Sequence, residues 1–436
     1  VEALRNVGTI TGALIIRGSV EDLSPLRCLT NGPLELRIVE TDRLTSLRGL
    51  EGIRSLDGNP GALERNLVIQ ANSVLTNLDG LSGLTRVGGD ITLRDNDALV
   101  DVSGLGSLSD LGGGLSIVSN PKLEHIVGLE SITRATDVTI MTNDALATIE
   151  GLGGLQEVGS LRIDLNPLLE SVNGLESLVW VEDALYLWDN PIVTTLAPLA
   201  NLTTARRLLL NRMHGLESLA GLENAGIQYE VNIQRNEGLV TTRGLRLAPA
   251  GVRPLEIQVR DNPRLTSLEG FSGVAGTIAL FHVEANEALE TLQGLEGIAS
   301  ATSIMVSSNP ALRTLEGLDG LTTVTDSVTI TSNESLTSLE ALDSLSAGSL
   351  VVFANPALTS LSGLESLRSA VILNIGDNAT LRSLRALAGV EAVERFTVWS
   401  NVLLPTCEAY WLRDTIGVEN IGYWTISGND DAGTCP

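Results

Sequence analysis

The chain has 436 residues, a length for two or three ordinary domains, and a net charge of −25. So acidic a surface repels a phosphate backbone and an anionic bilayer, which disfavours nucleic acid and membrane as partners and favours basic or cationic ones. Hydrophobic residues make up 43% of the chain but aromatics only 3%, so Leu, Ile, Val and Ala must fill any core, and no run of 18 apolar residues is present to span a membrane.

In chain order, the sequence starts at Val1 rather than Met, as after removal of a leader or trimming. Cys28 follows, with three readings open: a buried free thiol, a thiol whose partner lies outside this chain, or a link to the far end. A repeat then takes over, recurring every 22 to 24 residues around an asparagine: Asn72, Asn96, Asn120, Asn143, Asn166, Asn190, Asn236, Asn262, Asn286, Asn309, Asn333, Asn355, Asn378 and Asn401. Met213 takes the anchor place in one copy, Arg17 and Thr41 in two early copies, and Asn429 in a last one, which makes about eighteen units. Two intervals are long: Asp57–Asn66 reads as one bulging loop, and Pro249, Gly251 and Pro254 mark a smaller one. Such an array grows by adding units, not by adding separate cores.

Each unit predicts one short strand. Three and five residues before the anchor stand Leu, Ile, Val or Phe, as in Ile304 and Val306 before Asn309; the residues between them vary and are mostly polar. This is the period of two expected of a half-buried strand. After the anchor, apolar residues fall at plus three, six and nine, as in Leu358, Leu361 and Leu364, with Gly usually at plus eight (Gly174, Gly317, Gly363). A glycine there interrupts any helix, so the spacing predicts extended pieces joined by tight bends. The fold class expected is an all-β, right-handed parallel β-solenoid, with coils about 4.8 Å apart.

Inward-facing polar backbone at each bend needs partners. A buried Asn both donates and accepts, so the Asn column is expected to be a structural ladder. Five residues after the anchor, eleven consecutive coils carry Ser or Thr, from Thr148 to Ser383. These predict a second bend ladder of hydroxyls bonding backbone; an exposed, water-ordering row is the lesser alternative. The array spans residues 1–404. Residues 405–436 read as a C-terminal cap, with a short helix near "PTCEAYWLRDTIG" entered at Thr406, a final strand, and Tyr410, Trp411, Tyr423 and Trp424 covering the last coil. Cys407 and Cys435 bracket this cap and predict a disulfide, hence an oxidising compartment.

The pattern L-x-I-x-x-N-P-x-L, as from Leu115 to Leu123 and in related form around Asn355, resembles the repeat of receptor L domains, the leucine-rich-repeat-like β-helical modules of insulin- and growth-factor-receptor ectodomains. Bacterial secreted and surface proteins carry similar, longer arrays. In the ordinary leucine-rich repeat a Leu stands two residues after the Asn, and here it stands three after, which favours a helix-poor coil. The resemblance implies recognition of a protein ligand and transfers no site residue.

Chemistry-bearing motifs are few. His125, His214 and His282 lie on separate coils, the first two about 19 Å apart at strand spacing, too far to share a metal or a base–nucleophile pair. No nucleophile elbow, P-loop or zinc spacing appears. No catalytic residue, cofactor or metal site is therefore expected. What varies between copies is the outward strand face. Tyr186 and Trp188, with Met141 and Arg162 on nearby coils, and Phe353 with Trp399 further along, are the candidate partner-binding residues. The expected function is a non-catalytic, secreted or cell-surface recognition or adhesion module for a protein or glycan partner. The alternative is a structural spacer or assembly subunit.

Overall fold

The computed structural model of the chain describes residues 2–30, 33–56, 66–248 and 253–435. Most of the first long interval and part of the second lie outside the described residues. The chain divides into two compact units, Val1–Leu216 with Ala220–Ala225, and Glu217–Leu219 with Gly226–Pro436. Among the described residues each carries nine parallel strands of the repeat.

In the first unit these run from Ala13–Gly18 through Glu35–Thr41 and Leu67–Gln70 to Trp180–Trp188 and Thr204–Asn211. In the second they run from Ile227–Gln234 to Ala392–Trp399 and Ile421–Ser427. Within a unit each strand pairs in parallel with the strand of the next copy, in the register the repeat dictates. Thus Leu93 lies beside Ile117, which lies beside Ile140, and Ile304 lies beside Val328. The protein is an all-β parallel solenoid with little helix, as the period of the sequence predicts.

The first coil departs in detail. Ile16 pairs with Ile38 and Arg17 with Val39, the register then shifts, and Gly18 rather than Arg17 lies beside Thr41 at the anchor place. Arg17 belongs to the strand itself.

Early strands are short, such as Ile91–Arg94 and Leu115–Val118. Ser55–Leu56, Arg86–Val87 and Asp110–Leu111 form a separate three-stranded sheet. Glycines divide the two sheets: a Cβ on Gly112 would sit 2.4 Å from the Gly88 carbonyl oxygen, so stacked backbones touch there. From Arg134–Met141 to Thr204–Asn211 that Gly-rich break is gone, and strands of eight or nine residues join the two parts.

The core is made of the positions the alternation selects. Residues three and five before each anchor, and Leu358, Leu361 and Leu364 with their equivalents, are almost completely buried. The anchors are buried with them, Asn72 through Asn401 at 1% exposure or less. Each Asn bonds to its neighbouring coils, and many bond their own coil as well. The Asn309 amide donates to the Val283 carbonyl of the preceding coil (3.2 Å), to the Ser307 carbonyl of its own coil (2.9 Å) and to Asn333 Oδ1 (3.3 Å). Asn309 Oδ1 in turn accepts the Asn286 backbone N–H (3.1 Å). Thr41 heads the first ladder, donating its hydroxyl to Asn72 Oδ1 (2.7 Å), and Asn429 ends the second. At Met213 the amide is replaced by a thioether, a weak acceptor 3.9 Å from Asn190 Nδ2.

The repeat imposes a backbone conformation that residue types do not announce. The non-Gly residue before each anchor has φ between 52° and 58°, whether it is Asp95, Ala285, Leu165 or Arg212. In many coils the Asn side chain also bonds the carbonyl two residues back, as from Asn309 to Ser307 and from Asn286 to Glu284. The left-handed geometry, unfavourable outside Gly and Asn, recurs at Glu40 and Arg212, before Thr41 and Met213, so it belongs to the turn of the coil and does not require the Asn amide.

At the C-terminus the repeat is replaced by helix α1 (Thr406–Ile416) and the strand Ile421–Ser427. Cys407 and Cys435 are joined, with Cα atoms 6.1 Å apart. The helix starts one residue earlier than expected. Pro405 is its N-cap, and Thr406 lies inside the first turn, its hydroxyl bonded to Asp431 (2.6 Å). Buried Glu408 pins the helix to the last full coil, accepting from Arg385 (2.6 Å), Ser383 (3.2 Å) and the Leu384 N–H (3.2 Å). The buried apolar cover comes from Ala409, Leu412 and Ile416; of the predicted aromatics, half-buried Trp411 lies on the last full coil, the Arg385 guanidinium 3.8 Å from its ring centre. Tyr423 is 59% exposed, and Trp424 and Tyr410 are also largely exposed, packed edge to face at 6.3 Å. We propose that the change of local structure at 404/405 is the boundary of a terminal cap. Cys28 is an exposed free thiol, which removes its buried reading.

Candidate functional site

Two polar columns of the repeat are scaffold. The Asn column is buried and internally bonded, as described. The Ser/Thr column is half-buried in most coils, and several of its hydroxyls accept the backbone N–H two residues on: Ser338 from Glu340 (3.1 Å), Thr195 from Ala197 (3.1 Å), Ser383 from Arg385 (3.2 Å). These are local turn bonds, so the column stabilises bends.

The bends come in two kinds. Where the plus-eight Gly is followed two residues later by an acid, the Gly takes a positive φ and its N–H donates to that carboxylate. Gly174 with Glu176, Gly317 with Asp319 and Gly363 with Glu365 do so at 2.8–2.9 Å. Where no such acid follows a plus-eight Gly, as at Gly80, Gly104 and Gly270, a 3-10 turn usually forms instead.

The outward strand positions remain. In the first unit, neighbouring strands set Arg162 beside Tyr186 and Tyr186 beside Leu209. One row over, Met141, Asp164, Trp188 and Asn211 lie side by side. The four predicted residues Met141, Arg162, Tyr186 and Trp188 thus share one patch on three adjoining strands. Tyr186 stands between two guanidinium groups, those of Arg162 (5.8 Å from the ring centre) and Arg207 (6.0 Å). Each is held from below by an acid: Arg162 by Asp164, Arg207 by Asp183. A fixed cation against an aromatic face is favourable by about 0.5–1 kcal/mol at an exposed site. The pairs therefore stiffen the patch. Trp188 beside them is 41% exposed.

Asp164 is the strained member. It is 1% exposed, and its Oδ1 has no hydrogen-bond partner. Burial raises its pKa above the ordinary carboxylate value; Arg162 opposes the rise and the negative charge of Asp189 adds to it. A raised acid makes the folded state bind protons that the unfolded state has released. Its stabilising share is complete below the usual carboxylate range and is lost as pH rises through the folded value. Asp164→Asn is expected to raise the urea midpoint at pH 7 relative to the parent, and the gain should shrink at pH 4. An equal change at both pH values would refute this reading.

Sequence reasoning missed Trp180, 46% exposed at the other end of the same strand as Trp188. It borders a shallow depression of about 400 Å³ beside the Arg134–Glu157 ion pair (2.8 Å). Its position, ten residues before an anchor, lies outside the short strand that the alternation outlines.

In the second unit, Phe353 and Trp399 come together across the strand between them, ring centres 6.4 Å apart. The intervening residue in that row is Gly376, and three atoms of the Trp399 indole lie 2.2–2.7 Å from where its Cβ would be. The ring thus fills the space of the missing side chain. Its Nε1 donates to Asn374 Oδ1 (2.9 Å), which also accepts from the Thr397 hydroxyl (2.9 Å). Tyr423, assigned from sequence to cover the core, lies on this same face beside Arg395.

The histidines do not assemble. His125 Nδ1 lies 3.1 Å from the Thr148 hydroxyl, and His282 Nε2 lies 2.9 Å from Glu284. Among the described residues no group of three His, Cys, Asp or Glu side chains is placed to hold a metal ion. No described helix is long and apolar enough to cross a membrane.

Parallel coils of 22 to 24 residues, a buried Asn column and a leucine-filled interior define a leucine-rich-repeat-like β-helical repeat protein. Among solved structures the chain is similar to an internalin from Listeria monocytogenes str. 4b F2365, with 16% identity over 84% of this chain and 81% of that one and a TM-score of 0.37. It is also similar to an LRR protein of Leptospira interrogans, with 14% identity over 93% of each chain and a TM-score of 0.30. No family model matches the chain. No curated protein matches it either.

Proposed function

We propose that the chain is a non-catalytic recognition module, secreted or at a cell surface, that binds a protein partner through the outward strand face around Trp188. The observation that carries this reading is the patch itself: an exposed indole beside a tyrosine braced by two ion-paired arginines. Trp, Tyr and Arg dominate binding energy at interfaces because they offer large, stiff contact areas. The Cys407–Cys435 bond supports an oxidising location.

The test is a binding screen of the intact protein against a panel of purified extracellular domains, with Trp188→Ala alongside. A hit should weaken at least 10-fold in the variant, while the unfolding midpoint stays put because the side chain is outside the core. Binding that survives the substitution unchanged would displace the site. If the panel yields no hit and light scattering shows chains joining end to end, the protein is a spacer.

A further inference from the structure

We infer that the second unit carries a separate binding site for an acidic saccharide, in the depression over strands Ser369–Gly376, Ala392–Trp399 and Ile421–Ser427. This rests on reading the outward strand face as the recognition face, but on a different place and ligand from the Trp188 patch. The depression measures about 780 Å³, within the range of small-ligand sites, about 300–1,000 Å³.

Three features of its lining specify the ligand. First, it presents aromatic surface that is already fixed. The Trp399 indole is seated over Gly376, tied through its N–H to Asn374 and backed by Phe353, so little ordering remains to be done on binding. Tyr423 stands beside it, 59% exposed. Second, the aromatics are interleaved with short polar groups: Asn374, whose Nδ2 makes no bond within the described residues, and the hydroxyls of Thr397 and Thr425. An amphipathic ligand, with an apolar face of C–H bonds and a rim of hydroxyls, matches that alternation. Third, Arg395 is the one charged residue lining the depression. It is exposed and forms no ion pair among the described residues, although the chain has 53 acids and 28 Lys and Arg. An unneutralised guanidinium in so acidic a protein is an anion receptor, and its planar fork fits a carboxylate. A long polyanion would meet the net charge of −25; a short sugar acid meets mainly Arg395.

The experiment is calorimetric titration of the intact protein with a trigalacturonate, with its methyl ester, and with an acidic tripeptide of equal charge. We expect binding of the trigalacturonate, at least 10-fold weaker binding of the ester, and weakening with salt. Arg395→Gln should lose at least 10-fold, as should Trp399→Ala. Thr425→Ala, a milder change at the rim, should weaken binding while leaving the unfolding midpoint unchanged, which keeps the test informative should Trp399→Ala perturb folding. Absence of binding by the trigalacturonate and by a sialylated trisaccharide, equal binding of acid and ester, or equal binding of the peptide would overturn the inference. Trp188→Ala separates the two proposals: it should leave saccharide binding intact, and loss of the saccharide site would not touch a protein interaction that depends on Trp188.

Discussion

Asn309→Ala is expected to destabilise the protein by roughly 4 kcal/mol or more. Asn309 sits mid-ladder and is fully buried. Truncation strips the Asn286 N–H of its acceptor and the Val283 carbonyl of its side-chain donor, and opens the bond to Asn333. Each buried group left without a partner costs about 1–3 kcal/mol, and the cavity adds to that. The left-handed backbone at Ser308, φ 56°, also loses the Asn309–Ser307 bond across the turn. Chemical denaturation checks the value. A loss below about 1 kcal/mol would mean that water enters and replaces the amide, and that the column is not a supporting element.

Gly317→Ala should cost about as much, for a different reason. Gly317 has φ 110°, and a Cβ there would lie 2.0 Å from the Leu292 carbonyl oxygen of the preceding coil. The substitution combines a backbone conformation costing about 1–3 kcal/mol for an L residue with an overlap that only separation of the coils relieves. A loss of roughly 4 kcal/mol follows from the sum of those terms. Gly273→Ala is the matched control: no atom lies within 4 Å of its Cβ position and its φ is not in the left-handed region, so the change should be neutral or slightly stabilising. Equal losses at the two glycines, measured by urea unfolding, would show that the coil spacing is not what excludes a side chain.

The two variants test what was legible in the sequence. A buried Asn and a close-approach Gly are positions where chemistry strongly favours one residue, so repetition of the letter reports the structure directly. The alternation of Ile304 and Val306 gave strand and inner face together for the same reason. Other features left weaker marks. The left-handed residue before the anchor ranges from Asp and Ala to Leu and Arg, because the turn of the coil sets its conformation whatever the side chain; no residue type signals it. The choice between the two bends is written in the sequence, in the acid two residues after Gly174 or Gly317, and becomes readable once the N–H donor is seen. Arg17 was misplaced because the first coil has no Asn to fix the register. Tyr423 looked like core because it lies near a chain end. Its row in the final strand faces outward, and the cover is supplied by helix α1, pinned by the buried Glu408.

The candidate sites were legible only as outliers from the repeat. Tyr186, Trp188 and Trp399 stand where most copies have small or polar residues, and the pairing of strands then showed which of them meet. Gly376 could not be seen as part of a site, since its contribution is to leave room for an indole at the same position of the next coil. Arg395 was one more surface charge until the absence of an ion pair to it among the described residues distinguished it from Arg162, Arg207 and Arg385.

The repeated positions build the frame and the variable outward positions bind: this division is the central claim. It is tested most directly by placing intact protein, Trp188→Ala and a polar variant of the opposite kind, Ser338→Ala on the bend column, on the same panel of extracellular domains while recording the unfolding midpoint of each. The account predicts that Trp188→Ala loses binding at least 10-fold with its midpoint unchanged, and that Ser338→Ala, which removes a hydroxyl that accepts the Glu340 N–H (3.1 Å), keeps its binding. Binding that follows Ser338 and ignores Trp188 would contradict it.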